Sequence, residues 1–258
     1  MGIVNVAPDS FSGDGSANAA VAFAQRDAGA DLIDVGAEST RPGHEPIDAQ
    51  TELSRLLPVL EAIRRHDEQT IVSVDTFKPE VFRRAHAAGA DVLNSVWGLD
   101  DALLEAALAC DVPVVAMHNK RVAVYERDVV DEVLAYLDEL AQRAVRRGIR
   151  SERLILDPGI GFGKLPEHNV ALLASLNRIV ALGFPTLLGT SRKSTIGKLT
   201  GKPVAERVFG TAATLALAVA AGIDVVRVHD VAAARDVVAV ADAIVRGWRP
   251  PGWNETLP

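Results

Sequence analysis

Basic side chains that could bind phosphate are concentrated in three segments of the sequence. The segments are Ser39-Thr40-Arg41-Pro42-Gly43, Ser191-Arg192-Lys193-Ser194 and Arg227-Val228-His229. An arginine guanidinium binds two phosphate oxygens at once, a lysine adds a point charge, and a histidine adds a further donor. Any one of these side chains alone is more often a solvated surface charge. The prediction of a pyrophosphate site therefore depends on the three segments meeting in the fold.

Carboxylate and amide side chains form a second group of candidates. Asp75, Asn94 and Asp157 each follow a short apolar run. In a buried site such groups need hydrogen-bond partners, and a heterocycle rich in N–H donors would supply them. The alternative is that these residues only cap the helices that follow.

The glycine-rich segment from Gly159 to Lys164 does not match either nucleotide-binding motif. A Walker motif requires glycine at the position of Pro158 and Ser or Thr at the position of Leu165, and the dinucleotide fingerprint requires glycine in place of Lys164. What remains is a flexible turn after Asp157, with Phe162 suited to packing on a flat ligand. A purely structural turn would explain the glycines equally well.

Short apolar runs alternate with helical patterns along the whole chain. The predicted strands are Ile3–Val6, Leu32–Val35, Ile71–Val74, Val92–Leu93, Val114–Met117, Leu154–Leu156, Pro185–Leu188 and Val225–Val228. The predicted helices are Ala19–Ala28, Thr51–Arg64, Pro79–Ala88, Asp101–Ala109, Asp128–Arg147, His168–Val180, Ala205–Ala221 and Ala232–Arg246. Glycines that precede the strands are typical helix C-caps. The pattern predicts an α/β fold, a single (β/α)8 TIM barrel.

An open doubly wound sheet would show the same alternation of strands and helices. In an open sheet the functional groups collect at one switch point, whereas here polar groups follow strands along the whole chain, which favours a closed barrel. The 258 residues match one such barrel, so residues 1–258 are predicted to form one domain.

The composition is that of an ordinary globular protein, with 48% hydrophobic and 24% charged residues. A net charge of −7 argues against a general nucleic-acid binder. A single cysteine, Cys110, excludes an internal disulfide framework. The sequence shows no signal-peptide pattern and no apolar stretch of spanning length, so we expect a cytoplasmic protein with no membrane partner.

A set of motifs runs in a fixed order along the chain. It comprises Met1-Gly2-Ile3-Val4-Asn5-Val6-Ala7-Pro8-Asp9-Ser10-Phe11-Ser12, residues 34–43 (Asp-Val-Gly-Ala-Glu-Ser-Thr-Arg-Pro-Gly), Ser73-Val74-Asp75-Thr76, residues 157–164, Ser191-Arg192-Lys193-Ser194 and residues 227–231. In this order the motifs resemble those of the dihydropteroate synthases of the folate pathway. The resemblance covers essentially the whole chain.

The resemblance implies a transferase that condenses 6-hydroxymethyl-7,8-dihydropterin pyrophosphate with p-aminobenzoate, giving 7,8-dihydropteroate and pyrophosphate. It also implies Mg²⁺ as cofactor, a dissociative displacement, a homodimer and a sulfonamide target. The catalytic residues would be Asp75, Lys193, Arg227 and His229. No strong general base is required.

The resemblance also assigns the binding positions. Asn5 would be the metal ligand. The pyrophosphate would be held by Arg41, Arg227 and His229, with Asp9 and Ser10 on the first loop. The pterin would be held by Asp75, Asn94, Asp157 and Lys193. The p-aminobenzoate pocket would contain Thr40, Pro42, Phe162, Ser191 and Lys193.

Two departures from the family pattern leave alternatives open. Ala7 stands where the family usually has Thr, and Ser95 stands where it usually has Asp. A catalytically silent paralogue is one alternative for this reason. The other is a pterin-dependent methyltransferase domain, although such domains lack the pyrophosphate site and the Ser-Arg-Lys-Ser segment. His118, at the end of the fifth strand, is given no role.

Overall fold

The computed structural model describes residues 1–6, 15–38 and 46–253. Within them the chain forms eight short parallel strands. The strands are β1 (Gly2–Asn5), β2 (Leu32–Gly36), β3 (Ile71–Asp75), β4 (Val92–Ser95), β5 (Val114–Met117), β6 (Leu154–Asp157), β7 (Leu187–Leu188) and β8 (Val225–Val226). Every predicted strand is confirmed, and several differ from the prediction by one or two residues at an end.

The strands close into a barrel. β1 to β6 pair in sequence order and β7 pairs with β8. The two groups are joined by parallel bridges, Leu156 with Thr186 on one side and Gly2 with Val228 on the other. The amide of Ile3 donates to the carbonyl of Val228 at 3.0 Å across the second of these seams. The predicted closed barrel is therefore found, and the open sheet is not.

Ten α-helices lie in the described part of the chain, with two short 3-10 helices at Ser151–Arg153 and Val204–Glu206. They are α1 (Ser16–Asp27), α2 (Ala49–His66), α3 (Pro79–Ala87), α4 (Asp101–Cys110), α5 (Val129–Arg147), α6 (Pro166–Leu173), α7 (Leu176–Val180), α8 (Ser194–Thr200), α9 (Val208–Ala221) and α10 (Val231–Val245). The predicted helix 168–180 is divided in two because Ser175 leaves the helical region, at φ −120° and ψ 21°. The short α8 was not predicted. No helix among these is long and apolar enough to cross a membrane.

Local sequence explains where the helices begin and end. Carboxylates cap three of them: Asp48 accepts from the amide of Thr51, Asp100 from Leu103 and Asp128 from Val130. At the other end, the predicted glycine C-caps are confirmed at Gly148 and Gly222, which adopt φ angles of 115° and 98°. These caps return the chain to the bottom of the barrel for the next strand.

The interior of the barrel is apolar below and polar above. A cluster of side chains from around the barrel fills the lower layer: Met1, Leu32, Val92, Val115, Ile155, Leu187 and Val225. Successive side chains on a strand point to opposite faces, so the next inward position is two residues further on. Those positions are occupied by Ile3, Asp34, Asn94, Met117, Asp157, Gly189 and Arg227, of which Asp34, Asn94, Asp157 and Arg227 have polar side chains. The change of layer places polar groups at the mouth and apolar groups beneath it.

Candidate active site

Arg227 is the cation at the centre of the barrel mouth. Its Nε donates to Asp34 Oδ2 at 2.7 Å, and its Nη2 lies 2.6 Å from the same oxygen. Nη2 also contacts Asp75 Oδ2 at 3.5 Å. Three strands thus contribute to one charge cluster, since Asp34 is on β2, Asp75 ends β3 and Arg227 follows β8.

Two carboxyl groups at the mouth, those of Asp75 and Asp157, have a raised pKa. Burial and the nearby charge of Asp34 raise the pKa of Asp75 to about 7. Burial also raises the pKa of Asp157, against the opposing effect of Lys193 and a hydrogen bond from the Gly159 amide. Such shifts are common where groups are arranged for chemistry.

The predicted alternative, that the mouth residues are helix caps, is wrong. The helices that follow Asp75, Asn94 and Asp157 have Lys78, Asp100 and Leu165 at their N-cap positions. The carboxamide of Asn94 instead donates to Asp34 Oδ2 at 3.1 Å inside the barrel. All three side chains are therefore available to the mouth.

Lys193 and Phe162 come together at the mouth, as predicted. The ammonium of Lys193 donates to the carbonyl of Ile160 and lies 4.5 Å from the centroid of the Phe162 ring. Burial lowers the pKa of Lys193 to about 8, partly offset by the charge of Asp157. An aromatic ring and an ammonium stacked in this way form one wall for a flat ligand.

Ser191 and His229 form a polar pair beside this wall. The Ser191 Oγ accepts from the backbone amide of His229 at 3.1 Å, and His229 Nδ1 lies 3.0 Å from the same hydroxyl. The loop after β7 is thereby joined to the end of β8. Arg192, the residue after Ser191, does not contribute its side chain to the mouth. Its guanidinium pairs with Asp230, and Nε lies 2.9 Å from Oδ2.

The first two loops hold the remaining predicted residues. Thr40, Arg41 and Pro42 lie outside the described residues, as do Ala7, Asp9 and Ser10. Asn5 is described: it ends β1, its side chain is exposed, and its backbone is in register with Gly36 of β2. Within the described ranges, no group of three His, Cys, Asp or Glu side chains could hold a metal ion.

Sequence reasoning missed two groups of residues at this site. The first is Asp34, which is completely buried at the centre of the charge cluster. The second is a contact between the loops after β5 and β6. The Lys164 ammonium lies 2.8 Å from His118 Nδ1 and donates to the carbonyl of Phe162 at 3.0 Å. Asp34 follows Leu32 by two residues on β2, so both side chains point into the barrel. This spacing is the signal in the sequence that could have predicted Asp34 as a site residue.

Two glycines, Gly159 and Gly163, allow the loops after β5 and β6 to approach each other closely. A Cβ on Gly159 would lie 2.0 Å from the carbonyl oxygen of His118, and one on Gly163 would lie 2.1 Å from that of Lys120. Both glycines also have positive φ, at 70° and 57°. The glycine-rich segment is thus required by backbone contact, which explains its composition without a nucleotide motif.

Comparisons with known proteins agree on one family. A family model described as "pterin binding enzyme" matches residues 1–229. A dihydropteroate synthase of Clostridium beijerinckii is 43% identical over 254 residues, covering 95% of this chain and 94% of the relative. A crystal structure of dihydropteroate synthase from Clostridium difficile in the presence of pteroic acid has a TM-score of 0.90 at 40% identity, covering 95% and 96% of the two chains. The Xanthomonas albilineans enzyme with 4-aminobenzoic acid has a TM-score of 0.89 at 45% identity, covering 97% and 93%.

Proposed function

Since the chain belongs to the pterin-binding enzymes and, within them, to the dihydropteroate synthase family of transferases, we propose that it joins a dihydropterin pyrophosphate to p-aminobenzoate. The observation that carries the proposal is the cluster at the barrel mouth. It places Arg227 beside Asp75 and Lys193 near Asp157. A substrate with an anionic pyrophosphate and a donor-rich heterocycle needs both kinds of group.

The pterin is bound by the deeper part of the mouth. Asp157 is 7% exposed and ends β6, where its carboxylate faces the cavity and accepts the ring's amino and N–H donors. Asn94 and Lys193 complete the polar contacts to the heterocycle. The solved structure of the Clostridium difficile relative in the presence of pteroic acid supports a pterin-containing ligand.

The pyrophosphate is bound by Arg227 and His229 from the end of β8, together with Arg41. Arg227 is the stronger anchor, since its guanidinium keeps its charge at all working pH values. Its side chain is 22% exposed, so Asp34 and Asp75 do not enclose it completely. Positive groups placed where the leaving charge accumulates lower the barrier to departure.

The reaction is a displacement at the methylene carbon that joins pterin to pyrophosphate. The bond from this carbon to the pyrophosphate oxygen breaks first, its electron pair leaves with the pyrophosphate, and the carbon becomes cationic. The ionised carboxylate of Asp75 stabilises that cation. The amine nitrogen of p-aminobenzoate then forms the new carbon–nitrogen bond and loses a proton to water.

The p-aminobenzoate ring packs on Phe162 and on the stem of Lys193, whose ammonium lies 4.5 Å from the centroid of the Phe162 ring. Its carboxylate is bound by the Ser191 hydroxyl, which lies beside the start of α8. Thr40 and Pro42 complete this pocket. The 4-aminobenzoic acid in the Xanthomonas albilineans relative supports the choice of substrate.

The donor chemistry of Asn5 fits a magnesium ion. Its exposed carboxamide offers a neutral oxygen at the edge of the mouth, and Mg²⁺ favours oxygen ligands while retaining several from water and substrate phosphate. Bound there, the ion would neutralise charge that accumulates on the pyrophosphate. No acidic side chain is required in addition, because the substrate supplies the anionic oxygens.

The active form is proposed to be a homodimer that pairs through α9 and α10. These helices expose large apolar side chains on the outside of the barrel, with Phe209 86% and Ile244 78% exposed. Leu217 and Val240 extend the same face. An apolar patch of this kind on a water-exposed surface is typical of a protein interface, and a two-fold axis would bury it on both copies.

The test of the function is direct. Purified protein is incubated with dihydropterin pyrophosphate, p-aminobenzoate and Mg²⁺, and product and pyrophosphate are measured together. Equimolar dihydropteroate and pyrophosphate are expected, and neither when p-aminobenzoate is left out. Pterin binding without product would identify a silent paralogue and refute the proposal.

A further inference from the structure

Asp34 is a fully buried carboxylate to which neither the family resemblance nor the proposed reaction gives a role. Its Oδ2 alone carries three contacts: Arg227 Nε at 2.7 Å, Arg227 Nη2 at 2.6 Å and Asn94 Nδ2 at 3.1 Å. Two residues proposed to bind substrate are therefore fixed by one oxygen. Buried carboxylates are costly unless paired, so their presence in a site requires an explanation.

The charge of Arg227 is shared unequally between two carboxylates. The distance from Arg227 Nε to Asp34 Oδ2 is 2.7 Å. The distance from Arg227 Nη2 to Asp75 Oδ2 is 3.5 Å, which is the limit of a hydrogen bond. Among the described residues, the buried Oδ1 atoms of Asp34 and Asp75 have no hydrogen-bond partner. Arg227 therefore pairs mainly with Asp34, and Asp75 is left with a weak ionic partner.

We propose that Asp34 is a positioning residue that fixes Arg227 and Asn94 for the substrate and keeps Asp75 available to gain and lose a proton. The proposal rests on the proposed function, because it assigns Asp34 a role toward the residues that bind the pterin pyrophosphate. It predicts that removing the charge of Asp34 changes the titration of Asp75 as well as substrate binding.

The groups around Asp75 support this role. The negative charges of Asp34 on β2, Glu52 on α2 and Asp157 on β6 raise the pKa of Asp75, whereas Arg227 contacts Asp75 and lowers it. Burial and, after it, the charge of Asp34 raise the pKa of Asp75 to about 7. A neutral Asp75 avoids an additional like charge beside Asp34, and the ionised form is favoured once positive charge develops on the substrate.

The experiment is a carbon-13 NMR titration of aspartate carboxyl groups in the ligand-free protein. The Asp75 signal is assigned by its loss in Asp75→Asn. In the wild-type protein it should titrate near pH 7, and in Asp34→Asn it should titrate at least about one pH unit lower. Glu105→Gln is the charge-matched control, since Glu105 pairs with Arg147 on the outside of the barrel at 3.1 Å, and it should leave the midpoint unchanged.

A kinetic readout tests the positioning part of the proposal. In Asp34→Asn, the KM for the pterin pyrophosphate should rise about tenfold or more, because small displacements of binding groups have large kinetic effects. The KM for p-aminobenzoate should remain that of the wild type. A general loss of folding would instead lower the active fraction and leave both KM values unchanged.

An unchanged Asp75 midpoint in Asp34→Asn would overturn the proposal. A wild-type midpoint near 4 would overturn it as well, and that measurement needs no variant of Asp34. Should Asp34→Asn not fold, Asp34→Ser removes the same charge with a smaller side chain and must give the same shift. The titration uses no substrate, so a protein that forms no dihydropteroate would refute the proposed function without deciding the titration result.

Discussion

The ammonium nitrogen of Lys164 lies 2.8 Å from Nδ1 of His118, and it also donates to the backbone carbonyls of His118 and Phe162. The contact joins the loop that carries Phe162 to the end of β5. His118 is itself buried, and its ring makes an edge contact with Tyr136 at 4.9 Å. His118, the residue after β5, thus supports the loop that carries Phe162.

Lys164→Met should change how stability depends on pH. Burial lowers the pKa of Lys164 to about 7, so between about pH 7 and its ordinary value of 10.5 the unfolded chain binds more protons than the folded one. The wild type should therefore gain free energy of unfolding relative to Lys164→Met as the pH rises from 7 to 9. Urea unfolding at several pH values measures this. The exposed Lys198→Met is the control, and a parallel dependence in wild type and Lys164→Met would refute the prediction.

Asp157→Ala and Arg227→Ala should separate the two parts of the pterin substrate. Asp157→Ala should lose affinity for a pterin alcohol that lacks phosphate, by about tenfold or more, because charge-assisted hydrogen bonds to the ring are lost. Arg227→Ala should lose mainly the additional affinity that pyrophosphate gives. Calorimetry with the pterin alcohol and with the pterin pyrophosphate measures the affinity of each variant for both ligands. Equal affinity of Asp157→Ala and wild type for the alcohol would exclude Asp157 from the pterin site.

Asp75→Asn should stabilise the protein at alkaline pH. An acid with a raised pKa in the folded state stabilises the fold below its unfolded pKa, and this contribution is lost as the pH rises through about 7. Relative to wild type, Asp75→Asn should gain up to about 4 kcal/mol in free energy of unfolding between pH 4 and pH 8. The exposed Asp101→Asn should show no such trend. A constant difference for Asp75→Asn across this range would contradict the raised pKa.

Phe162→Leu should weaken p-aminobenzoate more than pterin. The ring contributes stacking against the aniline ring and against Lys193, worth about 1 kcal/mol beyond buried area, so KM for p-aminobenzoate should rise several-fold. Pterin alcohol affinity should change little. Phe23→Leu is the control, because Phe23 packs against His66 on the helical outside of the barrel at 6.0 Å. A rise in both the KM for p-aminobenzoate and the dissociation constant of the pterin alcohol would indicate that the loop itself had been displaced.

Phe209→Glu combined with Ile244→Glu should give a monomer. Two charges placed on the exposed apolar face of α9 and α10 would have to be buried without partners in the proposed dimer. Light scattering should give the mass of two chains for wild type and of one chain for the double variant. Glu substitution at Val122, an exposed apolar residue outside these helices, should leave the dimer intact. A monomeric wild type would exclude this interface.

The sequence predicts the barrel well because its signals are local: the spacing of apolar residues in strands and helices, and the glycines that end the helices. It predicts Asp75, Asn94 and Asp157 because each ends an apolar run. It does not predict Asp34 as a site residue, since its partner Arg227 is 193 positions away in the chain. The Lys164 contact is missed for the same reason, because it joins loops that are adjacent only once the barrel is closed. The split between α6 and α7 is not predicted either, because the helical pattern continues through Ser175, where the backbone leaves the helical region.

The seam between Gly2 and Val228 also has a consequence for biosynthesis. Domains fold as units during translation, and here the first strand has no partner on one side until the last strand has been made. A nascent chain that stops before Arg227 would hold the Asp34 and Asp75 carboxylates without their shared cation. A barrel formed before Arg227 is synthesised would therefore be destabilised by these two buried carboxylates. The substrate pocket is completed only when the final strand has been synthesised.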